Sequence, residues 1–151
     1  MSLLLNDVIN PVINAPYTGT RIPGAVLDYN MEYRGKRAID YSGYGNDGTI
    51  TGASPIVANS GYAMNFDGVD DIINCGKSSV LNDMTQMTIE VWGNRKTLGG
   101  GSLGRYVDKS KWYLYCSSPN YIYFRRSFTT TNGYWRTSGI IYNNNWYHIA
   151  I

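Results

Sequence analysis

The chain has 151 residues, of which 43% are hydrophobic, 14% aromatic and 16% charged, with a formal net charge of +2. Apolar content on this scale can fill a core, and the charge density is too low for a disordered polyelectrolyte. A balance of +2 leaves no broad basic footprint for nucleic acid, and the basic pair Arg125-Arg126 falls inside an alternating run, where it reads as a solvated sheet face. Fourteen Tyr and 17 Gly, with abundant Asn and Thr, favour strands and tight turns, since aromatic and β-branched side chains suit a pleated surface while Gly and Asn accept positive φ.

Residues 1–25 contain Pro11, Pro16 and Pro23 and have no hydrophobic period, which predicts an extended N-terminal arm, either docked along a neighbouring subunit or else disordered or packed on its own domain. The apolar run Leu3 to Leu5 is cut at once by Asn6 and Asp7, too short for a secretory signal. No stretch approaches the roughly 20 apolar residues that span a bilayer, so no membrane insertion is expected. There is no Asn-X-Ser/Thr sequon.

The remainder, 26–151, reads as one all-β domain. Val26 to Met31 alternates apolar and polar and predicts a first strand, followed by strands at Thr49 to Gly52, Tyr62 to Asp67, Asp71 to Asn74 and Met87 to Trp92. Tyr106 to Asp108, Trp112 to Cys116 and Tyr121 to Phe128 continue the series. Asn132-Gly133, between two β-prone runs, predicts a tight hairpin turn, because a type I′ turn needs positive φ at both central positions. Many short strands with frequent turns indicate a sandwich or jelly roll.

Three blocks go further. DYSGYGNDGT (40–49) followed by FDGVDD (66–71), then MTIEVWG (87–93) and NNNWYHIAI (143–151), resemble in order and spacing a laminin-G-like domain of the concanavalin A-like lectin/glucanase group. The resemblance runs from about Val26 to Ile151 and implies an antiparallel jelly-roll β-sandwich. In that family the block resembling NNNWYHIAI is a central strand with more strands after it, so the sandwich is expected to be incomplete at its C-terminus, with an open edge for another chain or a continuation to cover.

Enzymatic relatives in that wider group place paired carboxylates along one strand, and glycoside hydrolysis needs two carboxyls flanking one bond. The comparable run offers Glu90 alone, and His148 has no nucleophile motif beside it, so no catalytic residue is assigned. The Gly76-Lys77-Ser78 tripeptide lacks the glycine a phosphate loop needs at position 71, which is Asp71, and the run Gly99 to Gly101 precedes a strand rather than a helix. Cys75 and Cys116 lack metal-ligand spacing and are expected as free, buried thiols.

Calcium is the better inorganic candidate, because hard cations want several oxygens and Asp-Gly turns supply carboxylates and carbonyls together. Domains resembling this one often carry a calcium near the rim, which points to Asp40, Asn46 and Asp70; the same side chains also stabilise turns by bonding their own backbone. For sugar binding, apolar sugar faces stack on exposed aromatics, and Trp112, Tyr121, Tyr134 and Trp135 lie near loops; each serves equally well as core packing. Trp92 and Trp146, inside the blocks that match the family, are expected to be buried.

Together these readings predict a non-catalytic module for binding or assembly. The favoured setting is a virion structural protein (decoration, head-fibre or tail-associated), homo-oligomeric or part of a larger assembly, joined to other subunits by the arm and the open edge and attaching to surface glycans. The alternative is a carbohydrate-binding or adhesion module of a bacterial or archaeal surface protein, and a glycoside hydrolase ranks third.

Overall fold

Short alternating runs between Gly, Asn and Asp turns form fourteen strands in the computed structural model, which describes residues 2–3, 8–9, 22–58, 61–82, 84, 86–98, 103–109, 111–127 and 131–151. In chain order the strands are β1 (Ser2–Leu3), β2 (Val8–Ile9), β3 (Tyr33–Arg34), β4 (Arg37–Ala38), β5 (Gly48–Thr51), β6 (Ser54–Ala58) and β7 (Gly61–Asn65). They continue with β8 (Ile72–Asn74), β9 (Glu90–Arg95), β10 (Leu103–Asp108), β11 (Trp112–Ser117), β12 (Tyr121–Ser127), β13 (Asn132–Arg136) and β14 (Trp146–Ala150). A single 3-10 turn, Ser79–Leu81, is the one helical element among the described residues.

The pairing is antiparallel throughout. One sheet has nine strands in the order β13-β12-β11-β10-β1-β8-β5-β4-β3, a second has the order β14-β9-β2, and β6 with β7 makes a separate hairpin. The inner faces of the two larger sheets supply one core, with Ile73, Leu114, Cys116 and Ile122 from the first and Val91 and Ile149 from the second. Burying one such aliphatic side chain contributes about 1.5–3 kcal/mol, so this shared core is the main force holding the sheets together.

Several elements differ from expectation. Val26 to Met31 joins no ladder: Met31 takes φ 59, which ends extended backbone, and the segment is held by its own polar contacts, Asp28 N–H to Asp40 Oδ1 at 3.0 Å and Tyr41 N–H to the Asp28 carbonyl at 2.8 Å. The β12–β13 hairpin exists, but Asn132 and Gly133 lie in β13, paired with Ser127 and Arg126, and neither has positive φ. The connection is longer than a two-residue turn, so the I′ geometry is not required; its residues 128–130, like the glycine run 99–101, lie outside the described residues. The tight turn is instead between β11 and β12, where Ser117 faces Tyr121 and Asn120 takes φ 80.

Within the expected N-terminal arm, β1 inserts between β8 and β10 and β2 pairs with β9, so these two pieces complete sheets of their own chain. Residues 4–7 and 10–21, the bulk of that arm, lie outside the described residues. The strand expected at Met87 begins at Glu90. Both cysteines are buried and neither is in a disulfide, as anticipated.

Candidate functional site

The alternation in β11 and β12 sorts their side chains cleanly. Trp112, Leu114 and Cys116 point inward with Ile122 and Phe124, while Tyr113, Tyr115, Tyr121, Tyr123 and Arg125 take the opposite, half-buried face. The register then aligns them across strands: Arg105 opposite Tyr115, Tyr113 opposite Arg125, Tyr115 opposite Tyr123, and on the far side Tyr134 opposite Arg125 and Arg136 opposite Tyr123. A register shift between Arg105 and Val107 lets Tyr106 and Val107 both point inward while Arg105 stays on the outer face.

The result is a four-strand surface of tyrosines and arginines. Tyr115 stacks on Tyr123 at 5.2 Å between ring centroids, and Tyr113 and Tyr121 flank that pair at 5.3 and 6.4 Å. The Arg125 guanidinium sits between two rings, 5.2 Å from Tyr113 and 5.3 Å from Tyr134, and donates to the Tyr113 hydroxyl. Arg136 covers Tyr121 at 4.5 Å, and Arg105 lies 5.6 Å from Tyr113 while pairing with Asp108. Burial raises the Tyr115 hydroxyl above its ordinary pKa, with the neighbouring phenols adding to the effect, so it remains a donor at neutral pH. An open cavity of about 580 Å³ lies over this surface, lined by Leu103, Tyr115, Ser117, Tyr123, Tyr134, Trp135 and Arg136.

Of the four aromatics expected to stack on sugar, Tyr134 and Trp135 line the cavity, and Tyr121 lies beside it against Tyr123. Trp112 does not belong here: it is 5% exposed and tilts against Phe124 in the core, because it shares the strand parity of Leu114 and Cys116. Trp135 has inner parity too, opposite Phe124, but on the edge strand β13 it stays half exposed. Sequence reasoning overlooked Tyr113, Tyr115, Tyr123 and the three arginines; the period-two runs WYLYC and YIYFR carry the signal once Leu114 and Ile122 mark the inward parity.

Of the expected calcium ligands, Asp40 and Asn46 take part in loop hydrogen bonds and Asp70 joins an acidic cluster. Asp40 is buried and its carboxylate accepts four hydrogen bonds, from the backbone of Asp28, Ser42 and Asn46 and from the Ser42 hydroxyl. Asn46 donates to the Val26 carbonyl at 2.8 Å. The Asp40 carboxylate and the Asn46 amide nitrogen thus both take part in folding the DYSGYGND loop. Asp70 instead gathers with Asp67 and Asp71, their carboxylate oxygens within 4.8 Å of one another. In that cluster Asp71 Oδ2 already accepts from the Asp67 N–H and Asp67 Oδ1 from the Val69 N–H, so turn formation accounts for part of its capacity.

On the outer face of the smaller sheet, Trp92 is half buried under a stacked His148 at 4.9 Å, and Glu90 Oε2 lies 3.6 Å from His148 Nε2. Trp146, expected in the core, is 37% exposed because it shares the outward parity of His148. No family model, curated protein or solved structure matches this chain.

Proposed function

We propose that the chain is a non-catalytic carbohydrate-binding module on a laminin-G-like, jelly-roll β-sandwich frame, and that it holds an oligosaccharide against the tyrosine–arginine surface of β10 to β13. The carrying observation is the 580 Å³ cavity whose walls include Tyr115, Tyr123, Tyr134 and Arg136. Rigid aromatic walls with a few convergent donors suit a ligand that has apolar faces and many hydroxyls. The sandwich frame is supported by the core shared between two antiparallel sheets.

A hydrolase reading has less support: Glu90 is followed on its face by Trp92 and Asn94, and its cross-strand neighbours are Ala150 and His148, none of which supplies a second carboxyl. A glycan array probed with the full chain tests the binding role. Binding that disappears in Tyr123→Ala and Tyr134→Ala, with both variants folded, is the expected result. Binding untouched by both substitutions would sink this site.

A second reading, subunit of a virus particle, is favoured by β14, which forms the edge of its sheet among the described residues and shows Trp146 and His148 to solvent. Cross-linking of intact particles that captures β14 against another chain would support it; a chain recovered as a free monomer from its source would oppose it.

A further inference from the structure

We infer that the ligand of this surface carries an anionic group, a carboxylate or a sulfate ester, and that Arg136 and Arg125 grip it; the inference rests on the carbohydrate reading above. Three arginines lie on the face, and among the described residues only Arg105 has an acidic partner, Asp108. Among the described residues neither Arg125 nor Arg136 has a carboxylate within 4 Å. Both are nonetheless held in place: Arg125 lies between the Tyr113 and Tyr134 rings, and Arg136 rests on Tyr121.

That arrangement decides what the surface can read. A guanidinium lying on a phenol ring occupies the face on which a neutral sugar would stack, and it leaves N–H groups pointing away from the ring. A fork fixed in this way loses little rotamer freedom on binding, and its geometry matches two oxygens of a carboxylate or sulfate. Arg125 Nε is buried with no hydrogen-bond partner among the described residues, and Nη1 donates to the Tyr113 hydroxyl, which leaves Nη2 for a ligand. Because Arg125 faces Tyr134 and Arg136 lies two residues further along β13, the two cations are diagonal neighbours, about 7–8 Å apart at the backbone. Arg136 also lines the cavity itself, so the charge lies where the sugar would.

The test measures binding of the full chain to polygalacturonate, dextran sulfate, neutral dextran and a single-stranded DNA oligonucleotide, at low and high salt. Expected is binding to polygalacturonate or dextran sulfate, each arm identifying one anion, at least about tenfold tighter than to dextran and weakened by salt. Arg136→Gln and Arg125→Gln should each lower it about tenfold, as loss of a charge-assisted pair does, while Lys77→Gln, on the exposed turn after β8 and outside the cavity lining, leaves it unchanged. Arg136 is exposed, so its variant should keep the wild-type melting temperature even if the Arg125 variant unfolds. Dextran binding that is lost in Tyr123→Ala but indifferent to Arg136→Gln would overturn the anion and keep the carbohydrate reading. Equal binding to DNA, or an equal loss in Lys77→Gln, would show bulk charge attraction and overturn the inference. No binding to any of the four, with no signal on the glycan array, would overturn both.

Discussion

The guanidinium of Arg95, on the inner face of β9, donates from Nη1 to the Sγ of Cys116 on the inner face of β11, and so links the two sheets through the core. Arg95 is 1% exposed and makes its other bonds to Asn143 Oδ1, from Nε at 2.9 Å and Nη2 at 2.6 Å, and to the Ile141 carbonyl. These partners are neutral, so among the described residues the charge is compensated by dipoles rather than by a carboxylate. Arg95→Ala leaves a cavity and strands the acceptors, and should cost about 3–5 kcal/mol. Arg95→Met fills the volume and lets the exposed Asn143 return to water, so about 1–2 kcal/mol is expected. Urea unfolding of both variants separates the cases; equal losses would mean that volume is not the issue.

Alkaline pH should unfold the protein. Burial raises the Cys116 thiol above its ordinary value, with Arg95 opposing, and burial raises Tyr106 and Tyr29 well above the usual phenol range. Each group is therefore ionised more readily in the unfolded chain. The stability tied to them is fully present below the unfolded values, about 8.5 for Cys and 10 for Tyr, and is lost as pH rises beyond those values toward the higher folded ones. Melting temperatures between pH 7 and 11 should fall steadily above about pH 8.5. Phenolate absorbance of all 14 tyrosines rising before any unfolding would contradict this.

Two glycines with positive φ give a controlled comparison. At Gly35, φ 64, a Cβ meets nothing within 4 Å, so Gly35→Ala pays only backbone strain, about 1 kcal/mol. At Gly52, φ 76, a Cβ would sit 1.8 Å from Asp71 Oδ1. Gly52→Ala must therefore displace a buried carboxylate that accepts the Asp67 N–H, and should cost about 3 kcal/mol or more. Similar losses at the two positions would show that Asp71 yields easily.

Trp112 and Tyr134 should divide stability from binding. Trp112→Ala removes a buried indole packed on Phe124 and is expected to cost about 3–5 kcal/mol. Tyr134 is 58% exposed, so Tyr134→Ala should change stability by about 0.5 kcal/mol while abolishing glycan binding. Calorimetry alongside the glycan array reads both effects.

Asp40 should behave as a structural residue. Its carboxylate collects four donors, three inside the DYSGYGND loop and the Asp28 N–H, so Asp40→Ala leaves N–H groups unpaired and should cost about 2–4 kcal/mol. Chelator should not mimic that loss. A chelator-induced drop in melting temperature that vanishes in Asp40→Ala would return Asp40 to the metal-ligand role.

The all-β character and the strands from Trp112 and from Tyr121 were legible in the sequence, because a two-residue period is a local property that each strand carries alone. The sequence also determined where the Asp-rich turns lie, since Asp and Gly act on their own backbone. Tertiary structure decided what those elements share. Register across β10 to β13 brings Tyr115, Tyr123, Tyr134 and Arg136 to one cavity, and packing sends Trp112 inward while Trp146 stays outside. Loop closure puts Asp70 with Asp67 and Asp71 and joins Asp40 to the distant Asp28. The burial of Arg95 has no local signature, because its acceptors on Asn143, Ile141 and Cys116 come from distant parts of the chain. Such relationships depend on which strands become neighbours, and that is fixed only when the sheets close on a common core.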